Sequence, residues 1–217
     1  MRKLLVFGLI FCSTMAMAQV QFKTGKDGFS NFLKANTVYP QFSMQNCIQG
    51  TVNVSFKLDA EGKVYFSTVS KGIGTDLDDE ALRLVRLSSG KWKVPADYDT
   101  TISVVAPVNF KLSGYNCEIK SDEDIKAAIE TYQTQEGLIN TVINFYKNID
   151  KARPGQEEQV IAIKNQLRID HKYLNSRVKN GLKKIKQGDK QGACEDFSFV
   201  KNMGSDLADE YLDKYCK

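Results

Sequence analysis

Between positions 50 and 112, apolar and polar residues change places on a regular beat. Val52, Val54, Phe56 and Leu58 alternate with Thr51, Asn53, Ser55 and Lys57, the period of a strand with one buried face. Asp59-Ala60-Glu61-Gly62 is a short turn closed by Gly, and residues 64–69 run back as the second arm of a hairpin. Thr75 or Asp76 can cap a helix on which Leu77, Ala81, Leu84 and Val85 make one apolar stripe. The alternation then returns, with Ile102, Val104, Ala106, Val108, Phe110 and Leu112 set against Thr101, Ser103, Val105, Pro107, Asn109 and Lys111. Strand, strand, helix, strand is the order, and the sheet face and the helix stripe are expected to bury each other. Upstream, Phe29, Phe32 and Leu33 predict a short helix over 28–36, ended by the turn at Tyr39-Pro40. Residues 19–27 are polar and read as a loose arm.

Past a boundary at 113–120 the pattern turns helical for the rest of the chain. Ser121-x-x-Asp124 is a start signal. Ile125, Ile129, Tyr132, Glu136, Ile139, Ile143 and Tyr146 follow at alternating steps of four and three. Ala152-Arg153-Pro154-Gly155 breaks the run, and Val160, Ile163, Leu167, His171, Leu174, Val178, Leu182 and Ile185 form a second stripe. Two long helices joined by a tight turn run antiparallel. Pairing residues equidistant from that turn sets the polar Glu136 opposite the polar His171, so a Glu136–His171 contact inside the hairpin is expected. Gln187-Gly188-Asp189 ends the second helix, and Met203-Gly204-Ser205 separates a short helix pair at the C-terminus. The small residues in Gly188-Asp189-x-x-Gly192-Ala193-Cys194-x-Asp196, with Leu207-Ala208 later, resemble a single tetratricopeptide-like repeat.

The first 18 residues read as an export signal rather than as part of the fold. Arg2-Lys3 precede an apolar run, and Ala16-Met17-Ala18 is a small-x-small cleavage site before Gln19. That run is about 15 residues, short of the roughly 20 a spanning helix needs. An uncleaved anchor and a lipid on Cys12 are the rival readings, the latter weakened by the bulk of Phe11. Cys47, Cys117, Cys194 and Cys216 remain, and an even count in an exported chain reads as two disulfides. Of three pairings, Cys47–Cys117 and Cys194–Cys216 are favoured. The first pair lies just before the first strand and just after the third, which neighbour each other if antiparallel. The second pair is symmetric about Ser205. No C-x-x-C spacing and a single His argue against zinc.

The stretch 29–112, under half of the chain, resembles the C-terminal domain of the TonB energy transducers. The matching pieces are Asn36-Thr37-Val38-Tyr39-Pro40, Ile48-Gln49-Gly50-Thr51-Val52-Asn53-Val54-Ser55-Phe56, Asp59-Ala60-Glu61-Gly62-Lys63-Val64 and Leu77-Asp78-Asp79-Glu80-Ala81-Leu82-Arg83. Lys91-Trp92-Lys93-Val94-Pro95 and Pro107-Val108-Asn109-Phe110-Lys111-Leu112 complete the set. The resemblance implies an α+β fold, a small three-stranded antiparallel sheet with helices on one face over 19–118, and the helical-hairpin domain follows over 119–217. It implies a periplasmic protein-interaction module that grips an extended segment of an outer-membrane TonB-dependent transporter or other envelope protein by strand addition beside the third strand. The docking residues would be Ile102, Ser103, Val104, Val105, Ala106, Val108, Asn109 and Phe110. Pro107 has no N–H, which suits an edge strand. The chain departs from the transducers in lacking a proline-rich spacer, with four prolines in all, and in adding the helical tail. The alternative is a non-transducing scaffold or adaptor that works through that tail, and a second copy of the chain is a further candidate partner.

Composition adds little to this. The chain has 217 residues, 42% hydrophobic and 26% charged, with a formal charge of +4, an ordinary globular balance. Removing Arg2 and Lys3 brings it close to neutral. The second long helix is basic, carrying Lys172, Lys179, Lys183, Lys186 and other cations, which reads as a solvated outer face. It lacks the aromatic platforms of a nucleic-acid site. No nucleophile elbow, phosphate-loop lysine or metal-spaced ligand set occurs, so neither an enzyme, a cofactor nor a small-molecule substrate is expected. Gly72-Ile73-Gly74 reads as a linker, Trp92 as loop packing, and Asp76, Asp78, Asp79 and Glu80 as the complement of a helix dipole.

Overall fold

The computed structural model describes residues 20–217. The export signal expected over 1–18, its cleavage point and Cys12 lie outside the described residues. In chain order the elements are β1 (Gln21–Phe22), α1 (Gly28–Asn36), α2 (Gln41–Gln45), β2 (Gly50–Leu58), β3 (Val64–Lys71), α3 (Asp76–Leu87), β4 (Trp92–Lys93) and β5 (Ser103–Phe110). The helical half holds α4 (Asp122–Lys147), α5 (Gln156–Gln166), α6 (His171–Lys186), α7 (Lys190–Asn202) and α8 (Asp209–Tyr215).

Strands β2, β3 and β5 form an antiparallel sheet in the order β3-β2-β5. Strand alternation puts Val52, Val54, Phe56 and Leu58 on one face, all fully buried. Helix α3 lies on that face. Thr75 caps it by accepting the Leu77 N–H, and its Leu77, Ala81, Leu84 and Val85 are fully buried too. Each such side chain stabilises the fold by roughly 1.5–3 kcal/mol through removal from water. The fold is α+β, a three-stranded antiparallel sheet with helices followed by a helical region.

The N-terminal arm is better ordered than its composition suggests. Phe22 anchors it, with its ring 5.1 Å from Trp92 and 5.6 Å from both Phe29 and Phe32, and β1 pairs antiparallel with β4. Trp92 is buried in this aromatic cluster and donates its Nε1–H to Ser88 Oγ at 2.8 Å, so it packs the loop onto the core. Gly62 takes a φ of 77°, and a Cβ there would overlap the Trp92 carbonyl, so the hairpin turn needs glycine on both counts. Disulfides join Cys47 to Cys117 and Cys194 to Cys216.

The helical half departs from a two-helix hairpin. The expected second helix is two pieces: α5 stops at Gln166, Arg168 adopts φ 55°, and the Asp170 carboxylate caps α6 by accepting the Tyr173 N–H at 2.7 Å. His171 thereby becomes the exposed first residue of α6. No hydrogen bond or ion pair joins it to Glu136, so the expected contact is not made. Burial raises the Glu136 carboxyl pKa, the Asp79 charge adds to the rise, and Arg177 opposes it. Helix α4 also divides its loyalties. Ile125, Ala128 and Ile129 pack against the sheet core, whereas Ile139, Val142, Ile143 and Tyr146 pack in a second core with Val160, Ile169, Leu174, Val178 and Phe197. Within that core α6 and α7 pack most closely, because Gly181 lets the Phe197 ring approach its backbone. No helix of the described residues is long and apolar enough to cross a membrane.

Candidate functional site

Strand β5 is paired on one side only. Its register with β2 runs from Gly50 opposite Phe110 to Lys57 opposite Ser103, and no other strand of the described residues pairs with it. Val104, Ala106, Val108 and Phe110 point toward the core; Ser103, Val105, Pro107 and Asn109 are exposed. Ile102 lies in the turn just ahead of the strand, 53% exposed.

The side to which the β5 main chain turns follows from the far edge of the sheet. Ser67 of β3 sends both its N–H and its C=O away from β2, to the Gln191 side-chain amide. Ser67 stands opposite Phe56, so Phe56 must direct its own groups toward β5, where it stands opposite Val104. The even-numbered residues of β5 therefore bond to β2. Ser103, Val105, Pro107 and Asn109 turn their main-chain groups to the open side. Pro107 contributes only a carbonyl there, the placement edge strands accept.

The open side faces a cleft of about 490 Å³. One wall is Val104, Val105, Ala106 and Pro107, and the other is the N-terminal arm with Val20, Phe22, Lys26 and Phe29, with Trp92 also lining it. Tyr39 steadies the inner end of the strand. Its hydroxyl donates to the Ile48 carbonyl at 2.6 Å, and its ring meets Phe110 edge-on. Burial, aided by the nearby Asp76 carboxylate, pushes that phenol up to about 12. It stays protonated and able to donate at any physiological pH.

Residues 35–112 match the family model for the Gram-negative bacterial TonB protein C-terminal. Over these residues, about a third of its length, the chain is similar to the TonB C-terminal domain. No curated protein and no solved structure matches the chain. The TonB C-terminal family is periplasmic and linked to TonB-dependent transport, and it works by protein interaction and energy transduction rather than by catalysis. The matched stretch ends just beyond β5 and leaves the helical half outside it.

The acidic cluster at the start of α3 is taken up within the TonB C-terminal domain. Asp76 accepts from the Ser43 hydroxyl. Asp78 accepts the Ile73 and Gly74 N–H groups at 2.9 Å each, and Glu80 accepts the Val38 N–H and pairs with Arg83. Asp79 instead faces a cleft of about 620 Å³ between α3 and the helical half. Crowding by protein there raises its carboxyl pKa, Arg177 and Lys184 oppose that rise, and Glu195 and Asp78 add to it. On α6 the cations divide: Arg177 and Lys184 turn inward to the buried Asp196 at 2.9 and 2.8 Å, and Lys172, Lys179, Lys183 and Lys186 are exposed.

Two groups of residues escaped the sequence. Phe22 and Lys26 help line the β5 cleft, and an isolated Phe in a polar arm is a faint signal of an anchor. Ser67, Arg86, Gln191 and Glu195 tie the TonB C-terminal domain to the helical half. Arg86 lies away from the apolar stripe of α3 in the sequence pattern, so nothing in that pattern hinted at its partner.

Proposed function

We propose that this protein grips an extended segment of an outer-membrane TonB-dependent transporter, or of another envelope protein, along the open edge of β5. It does so in the periplasm after removal of residues 1–18. The observation that carries this reading is a strand paired on one side only, beside a cleft lined by apolar side chains. A guest strand completes the ladder through the main-chain groups of Ser103, Val105 and Asn109 and the carbonyl of Pro107, and the cleft between β5 and the N-terminal arm holds alternate side chains. Main-chain bonds supply affinity, and the cleft supplies selectivity. The missing N–H at Pro107 limits pairing with unintended strands.

A photocrosslinking amino acid at position 105 tests this in the envelope of the living cell. Adducts with an outer-membrane transporter are expected from position 105 and not from position 61, in the exposed hairpin turn. Equal yields from both positions, or none from position 105, overturn it.

A further inference from the structure

A three-stranded sheet has two edges, and a guest could in principle add to either. The second edge, β3, is closed by the chain itself. Gln191, at the start of α7, lays its carboxamide against the middle of β3. Its Oε1 accepts the Ser67 N–H at 2.8 Å and the Ser67 hydroxyl at 3.1 Å, and its Nε2–H donates to the Ser67 carbonyl at 2.8 Å. A carboxamide has the donor and acceptor of a peptide group, so Gln191 satisfies Ser67 as a neighbouring strand would. Arg86, buried on the last turn of α3, holds the arrangement in place. Its Nε–H donates to Ser67 Oγ at 2.8 Å, and its two terminal nitrogens clamp Glu195, one turn beyond Gln191, at 2.8 and 2.7 Å. A strand adding to β3 would have to lie about 4.8 Å from it, in the space the Gln191 side chain fills.

We infer that the helical half is a built-in occupant of the β3 edge, with Gln191 as the residue that restricts strand addition to β5. Each sheet then takes one guest, on one side. This rests on strand addition being the mode of binding, but the plug itself can be tested without a guest. Ser67 sits fourth of eight residues in β3; blocking it divides that edge into two short runs, each below the usual strand length of about five or six residues.

The test uses the full chain, Gln191→Ala with Glu195→Ala, and the milder Gln191→Glu. The milder variant keeps the side chain's size but cannot donate to the Ser67 carbonyl. Amide hydrogen exchange at Ser67 should speed up by about tenfold or more in the double variant and by less in Gln191→Glu. Sedimentation should show new self-association of the double variant through the uncovered edge. Crosslinking in the envelope from position 68, which like position 105 flanks Ser55, should give adducts only in the double variant. Unchanged Ser67 exchange in both variants, or adducts from position 68 in the wild-type chain, overturns the plug. Absence of adducts from position 105 in every chain, with Ser67 exchange responding as described, overturns docking at β5 and leaves the plug standing.

Discussion

Arg86 and Glu195 are unequal partners, and that inequality makes a sharp prediction. The guanidinium is 7% exposed and the carboxylate 51% exposed. Glu195→Ala leaves a buried cation with the Ser67 hydroxyl and, at 3.9 Å, Asp189 as its remaining partners. Stranding a buried charge costs about 3–5 kcal/mol when nothing else compensates; Asp189 reduces this to roughly 2–3 kcal/mol on the same scale. Arg86→Met removes the charge instead and fills much of its volume. Glu195 then returns to water at little cost, Ser67 keeps its bonds to Gln191, and Asp189, although it loses the cation 3.9 Å away, keeps its cap on the Gly192 N–H at 2.7 Å at the positive end of α7. The loss is about 1 kcal/mol, the value of ordinary hydrogen bonds exchanged for water. Removing the exposed partner should therefore hurt more than removing the buried one, by about 1–2 kcal/mol or roughly 2–8 °C in Tm. Urea unfolding followed through Trp92, the single tryptophan, measures both variants in one buffer. Arg86→Met equal to or less stable than Glu195→Ala would refute the reasoning.

Val105→Pro deletes an outward N–H and should weaken guest capture about fivefold, the worth of one hydrogen bond, with Tm unchanged; Val104→Pro removes an inward one opposite Phe56 and should cost about 3 kcal/mol of stability, both readable by thermal melts beside a crosslinking yield. Gly181→Ala drives a methyl into the Phe197 ring and should destabilise by about 1–3 kcal/mol in denaturant titration. Asp79 has a raised folded-state pKa, so folding favours its protonated form, and that contribution is present below the ordinary carboxylate value and lost as pH rises through the raised one. Asp79 is exposed to solvent, which weakens the effect, so Asp79→Asn should raise Tm only slightly at pH 7 and leave it unchanged near pH 3; a gain equal at both values would show that the carboxylate carries no such penalty.

The sheet domain was legible because its signals are local. Period-two alternation in 52–58 and 104–110 marks which residues face inward, and the stripe on α3 says the same for a helix; only Ile102, ahead of the strand and exposed, breaks the rule. The Cys47–Cys117 bridge followed from where those cysteines fall relative to the strands, and Cys194–Cys216 from their symmetry about Ser205. The helical half was less legible for definite reasons. Periodicity says that Ile125 and Ile139 are both buried but not that one meets the sheet core and the other the helical core. The break between α5 and α6 carries no glycine or proline. Arg168 takes the left-handed conformation, and the apolar spacing through Leu167 and Leu174 stays in phase across the interruption. That unbroken phase conceals the cap at Asp170. Gln191 and Ser67 are 124 residues apart, and no pattern within either segment refers to the other.

Helix α4 has a consequence for how the molecule comes apart. Its 26 residues span about 39 Å, with one end seated among the side chains that cover the sheet and the other among those of α5 and α7. Neither body can lose its packing without loosening the rod they share. Heating should produce a single calorimetric peak, and a pull on whatever the sheet is holding would be borne by the entire chain from its first strand to its last helix.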